Sequence, residues 1–135
     1  MSDYRWWTIC CGLVVPLAAL LGATASAAEQ PAKVLRHIVM YKFKDDLKPA
    51  EIEEVIAAFN ALPSKINTII GYEHGTNEST EGKSEGFTHC FIVTFKNEKD
   101  RDAYIAHPAH QDYVKVAKNR REKVVVFDFW APAGK

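Results

Sequence analysis

Between Val34 and Phe43 the chain alternates at the two-residue period of a β-strand, with Leu35, His37, Val39, Tyr41 and Phe43 on one side and Arg36, Ile38, Met40 and Lys42 on the other. Apolar residues occur on both sides, so both faces of the sheet this strand joins need cover. Asp45, Asp46 and Lys48 form a polar turn, and Pro49 then stands where a helix tolerates proline, at its first position. Ile52, Val55, Ile56, Phe59 and Leu62 recur at helical spacing, while Glu51, Glu53 and Glu54 lie toward the end where the helix dipole favours negative charge. Pro63 is expected to end this helix. Ile69 to Asn77 reads as a second strand interrupted by Gly71, and the polar stretch from Gly75 to Gly86 as a mobile hairpin connection.

The clearest strand pattern runs from Phe87 to Phe95, with Phe87, His89, Phe91, Val93 and Phe95 on one face and Thr88, Cys90, Ile92 and Thr94 on the other. Asn97, three residues before Asp100, suits the cap of a helix reaching about Ala106. Pro108 must break that helix, because proline lacks the backbone donor and clashes with the preceding turn. The helix restarts near Ala109 with His110, Tyr113, Val114 and Ala117 on one stripe, and Val124 to Trp130 forms the last strand.

Strand, helix, strand, strand, helix, strand is the order of a ferredoxin-like α+β sandwich: a four-stranded antiparallel sheet with both helices on one face. The helices can cover only one side. Ile38, Met40, Cys90 and Ile92 on the other side are left as an apolar patch of the kind that marks an interface. Two copies packed sheet to sheet would bury it, giving a homodimer around a barrel-like core.

The N-terminal segment changes the domain picture. An apolar run from Thr8 to Gly22 is followed by the small residues Ala23-Thr24-Ala25-Ser26-Ala27-Ala28, a pattern that signal peptidase accepts. Residues 1–28 are therefore expected to be an export signal, cleaved after Ala27 or Ala28, and 29–135 one domain in the periplasm or outside the cell. The apolar run is shorter than the ~20 residues that cross a bilayer and holds Pro16, so no stable membrane span is expected after cleavage. Cys10 and Cys11 leave with the signal, and Cys90 alone cannot form an internal disulfide.

Seventeen basic residues balance seventeen acidic ones, and losing Asp3 and Arg5 together keeps the remainder neutral. That neutrality argues against nucleic acid, whose binding rests on a surplus of Lys and Arg. Dinucleotide, P-loop and serine-nucleophile signatures are absent, and no cofactor is expected. The chemistry in view is imidazole and phenol. His37 and His89 sit on the same side of the two strands expected at the sheet centre, on the face assigned to the helices. The broken second helix would carry Tyr104 and His110 across them. Imidazole titrates near neutral pH and suits proton abstraction beside a carbonyl, while a phenol can hydrogen-bond the oxyanion that develops. His110 is the candidate base and Tyr104 the candidate donor. His107 is expected to fix the helix break by bonding a free carbonyl. Val39, Phe59 and Phe91 would complete a pocket for a small apolar or aromatic molecule. A metal is not expected: His107 and His110 are three apart, but Pro108 spoils their geometry and no carboxylate or cysteine partners them. A stress-associated dimer valued for stability alone is a further alternative.

The stretches Leu35 to Asp45, Gly86 to His89, Tyr104-Ile105-Ala106-His107-Pro108-Ala109-His110 and Phe127-Asp128-Phe129 resemble, in order, the motifs of the stress-responsive A/B barrel (Dabb) family. The resemblance spans nearly all of 29–135 and implies a dimeric α/β barrel. One member of that family is a plant polyketide cyclase that performs an intramolecular aldol condensation. By that resemblance its catalytic tyrosine and histidine fall on Tyr104 and His110, and its pocket histidines on His37 and His89. Phe59 departs from the cyclase pattern, which has a tyrosine there. Lys48 replaces the Ser or Thr common before the first helix, a difference that bears on stability.

Overall fold

The computed structural model describes residues 32–134, so the expected signal at 1–28 lies outside the described residues. The chain folds as β1 (Lys33–Phe43), α1 (Pro49–Asn60), α2 (Leu62–Lys65), β2 (Gly71–Thr76), β3 (His89–Phe95), α3 (Glu98–Ala106), α4 (Pro108–Lys118) and β4 (Arg121–Pro132). All four strands pair antiparallel in the spatial order β2-β3-β1-β4, with β1 and β3 at the centre. This is the ferredoxin-like α+β sandwich, each of its helical layers split into two segments.

Each split has a local cause. Pro63 does not stop the first helix; the turn at Ala61 does, and Pro63 then occupies the first turn of α2, where its missing N–H costs nothing. At the second split the Asn97 side chain accepts from the Asp100 N–H at 2.9 Å to start α3. His107, in extended conformation, ends α3 and begins α4, with Pro108 at the first helical position. Its Nδ1 accepts from the Ala109 N–H at 3.1 Å. The ring therefore caps an N–H of the new helix rather than a carbonyl of the old one, as the sequence had suggested. The orphaned carbonyl of Ile105 is taken by His110 Nδ1 at 3.0 Å and by Gln111 Nε2 at 2.7 Å.

The helices lie on the face of β1 that carries Leu35, His37, Val39, Tyr41 and Phe43, all buried. Phe91, Val93 and Phe95 of β3 meet them there, and Val55, Phe59, Tyr104, Tyr113 and Ala117 close the core from the helix side. Phe59 stacks on Phe91 at 4.3 Å between centroids and meets the edge of Tyr113 at 4.6 Å. Ile38, Met40, Cys90 and Ile92 take the opposite face and are only partly covered. The sidedness read from the alternation holds.

Strand ends differ from expectation. β2 and β3 are shorter, because the connection between them reaches from Asn77 to Thr88, closed by the Asn77 N–H on the Thr88 carbonyl at 2.8 Å. Gly86 sits in this connection at φ 80°, where an added Cβ would meet Lys42 Cδ and Cε at 3.0 Å, so the left-handed backbone calls for glycine and a side chain would also press on Lys42. β4 is longer than expected, beginning at Arg121. Its pairing with β1 shifts register between Lys42 and Phe43: Lys42 faces Lys123 while Phe43 faces Arg121. Glu122 is the extra residue of a bulge.

Candidate functional site

Between the sheet and α3/α4 lies a cavity of about 230 Å³. The sheet supplies His37, Val39 and Tyr41 from β1 and Arg121, Val124 and Val126 from β4. Phe59, Tyr104, His110 and Tyr113 close it from the helices. Val124 and Val126 are 41% and 55% exposed, so the cavity opens along β4, the sheet edge that the helices leave bare.

His37 is 5% exposed, and its Nδ1 donates to Asp128 Oδ1 at 2.6 Å. The same carboxylate accepts from Arg101 Nη1 at 2.9 Å through its other oxygen. A carboxylate can only accept here, so Nδ1 of His37 carries the hydrogen and Nε2 is its remaining site. The ring stands edge-on to Tyr104, 5.7 Å between centroids, and Tyr104 lies 4.4 Å from His110. Burial pushes the Tyr104 phenol well above its ordinary range, so it stays protonated and can donate.

The His-Pro break positions His110. Because the chain restarts its helix at Pro108, the Ile105 carbonyl is free to accept from His110 Nδ1. That bond fixes the tautomer and leaves Nε2 as the basic nitrogen. Burial lowers the pKa of His110; the Ile105 carbonyl raises it, and the neighbouring His37 and Arg121 side chains add to the lowering. The balance is downward, which favours the neutral ring.

A second polar group lies at the β4 start of the cavity. The Tyr41 and Tyr113 hydroxyls are hydrogen-bonded to each other, and Arg121 Nη1 donates to the Tyr41 oxygen at 3.2 Å. Burial raises the Tyr113 phenol far above its usual value.

Of the residues the sequence singled out, His37, Val39, Phe59, Tyr104 and His110 share this cavity. His89 does not join them. Its ring packs edge-on against Phe43 at 5.0 Å and its Nδ1 meets the Thr88 hydroxyl at 2.9 Å. Instead, His89 borders a wider groove of about 490 Å³ with Met40, Cys90 and Phe87. Phe91 lies behind Phe59 as a stacking partner, and His107 serves as the cap of α4. Among the described residues no group of three or more His, Cys, Asp or Glu is placed to hold a metal.

Sequence reasoning missed Tyr41, Tyr113, Arg121, Asp128 and Arg101 as parts of the site. Asp128 carried a signal: a lone carboxylate in the run Val124 to Trp130, in step with Val124 and Val126. Arg121 carried none, since its orientation depends on the bulge.

Comparison with known proteins finds relatives in both sequence and fold. Olivetolic acid cyclase of Cannabis sativa is 32% identical over 95 residues, 70% of this chain and 94% of the cyclase. The hydroxynitrile lyase of Passiflora edulis superposes with a TM-score of 0.71 at 25% identity, covering 78% of this chain and 99% of the lyase. A dimeric ferredoxin-like protein from Jannaschia sp. gives 0.62 at 28% identity, over 71% of this chain and 97% of that one. Residues 35–131 match the model of the Stress responsive A/B Barrel Domain, and the chain belongs to that family.

Proposed function

We propose that this chain is an exported homodimer whose helix-side cavity binds a small apolar or aromatic molecule. The cavity carries the reading: its walls are mainly aromatic and aliphatic, with the rings of His37 and His110 and the Tyr104 hydroxyl as sparse polar tips, the make-up of small-molecule sites. At about 230 Å³ it is below the ~300–1,000 Å³ typical of drug-sized sites, which limits the occupant to roughly one substituted ring. Native mass spectrometry of the purified protein, alone and with a panel of monocyclic aromatics, is the test. One adduct per chain is expected. Protein that arrives empty and binds no member of the panel contradicts the reading.

A second reading, proton transfer of the lyase or cyclase kind, is favoured by the fixed tautomer of His110. Its free Nε2 would take a proton beside a carbonyl or related group, and Tyr104 would hydrogen-bond the negative oxygen that forms. Relatives named for a cyclase and a lyase support this chemistry. Turnover of candidate carbonyl substrates should fall by about 10²–10⁴ in His110→Ala, the range of one general base. Equal product from wild type, His110→Ala and Tyr104→Phe would end this reading.

The homodimer is supported by the apolar sheet face away from the helices, where Val125, Phe127 and Phe129 of β4 add to Ile38, Met40 and Ile92, and by the dimeric relative. Export rests on the leader pattern alone. Intact mass measured on protein recovered from the native cell envelope or medium should begin near Glu29; retention of residues 1–28 would contradict it.

A further inference from the structure

The cavity has a charged end that a purely apolar ligand would leave unused. Arg121 is the first residue of β4, where simple alternation from Val126 and Val124 would put Glu122, not Arg121, on the cavity side. The bulge reverses the phase. Glu122 turns to the other face, where its carboxylate pairs with Lys42 at 2.8 Å, and the guanidinium of Arg121 comes to line the cavity. Bulges are a recurrent means of re-aiming a side chain beside a site.

Among the described residues, Arg36, Arg101 and Arg120 each pair with a carboxylate, whereas Arg121 has none. Its contacts are the Tyr41 ring, 5.5 Å from the guanidinium carbon, and the Tyr41 hydroxyl. That hydroxyl accepts from Arg121 and shares one hydrogen with Tyr113, so the two phenols, which have two hydrogens between them, hold one to spare. A guanidinium with unused donors and a spare phenolic O–H are therefore brought to one end of a cavity whose middle is apolar. The field of Arg121 reaches the rest of the site, as it opposes both protonation of His110 and the raised phenol of Tyr113.

We propose that Arg121, with the Tyr41–Tyr113 hydroxyl pair, is an anion-recognition element that selects small monocyclic aromatic carboxylates for this cavity. Guanidinium and carboxylate match as a planar fork, and the partly enclosed position strengthens the pairing relative to water. The carboxylate sits at the β4 start, the ring among Val39, Phe59 and Val126, and the far substituent toward His37, Tyr104 and His110. This inference rests on the reading that the cavity is a ligand site.

Calorimetric titration with benzoate and with its neutral isostere benzamide separates the two. Benzoate is expected to bind wild type at least tenfold more tightly than benzamide. Arg121→Gln should lose that preference while keeping benzamide affinity, and Arg121→Lys should retain part of it, since the charge remains but the fork is gone. Equal affinity of wild type for the two probes overturns the anion element while leaving the cavity reading intact, and needs no variant to fold. A preference that survives Arg121→Gln overturns the role of Arg121. Binding of neither probe overturns both readings.

Discussion

His110 shows how one backbone event sets the chemistry of one ring. The Pro108 break frees the Ile105 carbonyl, the carbonyl holds Nδ1, and burial lowers the pKa. Its NMR titration midpoint is expected below the ordinary value of about 6.5; a midpoint above that value would contradict the environment described. His89 is lowered too, by burial first and then by His74, with Glu53 opposing. Both groups bind protons less readily in the folded than in the unfolded state. Their contribution to stability is therefore whole above about 6.5 and is lost as pH falls toward and through the folded values. Urea midpoints should drop between pH 7.5 and pH 5, and should drop less in a His89→Phe, His110→Phe double variant. At Phe59, 1% exposed and packed against Phe91 and Tyr113, truncation to Ala is expected to cost about 3–5 kcal/mol by denaturant unfolding. Alternation identified the side of the sheet for His37 and His89 correctly, yet it carries no distance along the strand. His37 pairs with Val93 and His89 with Tyr41, so the two histidines are four residues apart along the sheet, about 13 Å at ~3.3 Å per residue. That separation is why only one of them reaches Tyr104.

At the level of elements, the breaks and caps decide where side chains aim. Proline and the Asn97 cap were readable from local chemistry, and so was the restart of a helix at Pro108. The β4 bulge was not: it comes from the pairing of Lys42 and Phe43 with a strand some eighty residues away, and no local pattern records it. The same limit made β4 look shorter at both ends. Three substitutions test the caps. Lys48 heads α1 with only half of a capping box, its N–H donating to Glu51 Oε2 at 3.0 Å. Lys48→Ser completes the box and should stabilise the fold by about 0.5–2 kcal/mol. His107→Ala removes the acceptor for the Ala109 N–H and should cost a similar ~0.5–2 kcal/mol, with His107→Asn recovering most of it. Unchanged denaturant midpoints in these variants would show that the caps do not matter to the folded chain.

For the whole molecule, a four-stranded sheet covered on one side leaves Phe127 58% exposed beside other apolar residues of β4. The order of six elements and their sidedness were legible because each strand declares its two faces and each helix its stripe. The second cover was legible only as a need. If the homodimer supplies it, light scattering at micromolar concentration should give twice the mass of a single chain, and Phe127→Asp should shift the protein to single chains without unfolding it. A dimer mass that survives Phe127→Asp would place the contact elsewhere. The sheet also separates two openings that compete for a ligand: the cavity beside His37, Tyr104 and His110, and the wider groove at Met40, Cys90 and His89. The groove is larger, but part of it lies on the face the second copy is proposed to cover, and it lacks the fixed tautomer and the unpaired guanidinium. The most direct measurement is a ring-proton and methyl NMR titration of the assigned protein with a monocyclic aromatic. Shifts at His37, Tyr104, His110 and Val126 that saturate together are expected, with Met40 and Ile92 unmoved. Saturable shifts confined to Met40 and the Cys90 side of the sheet would contradict it.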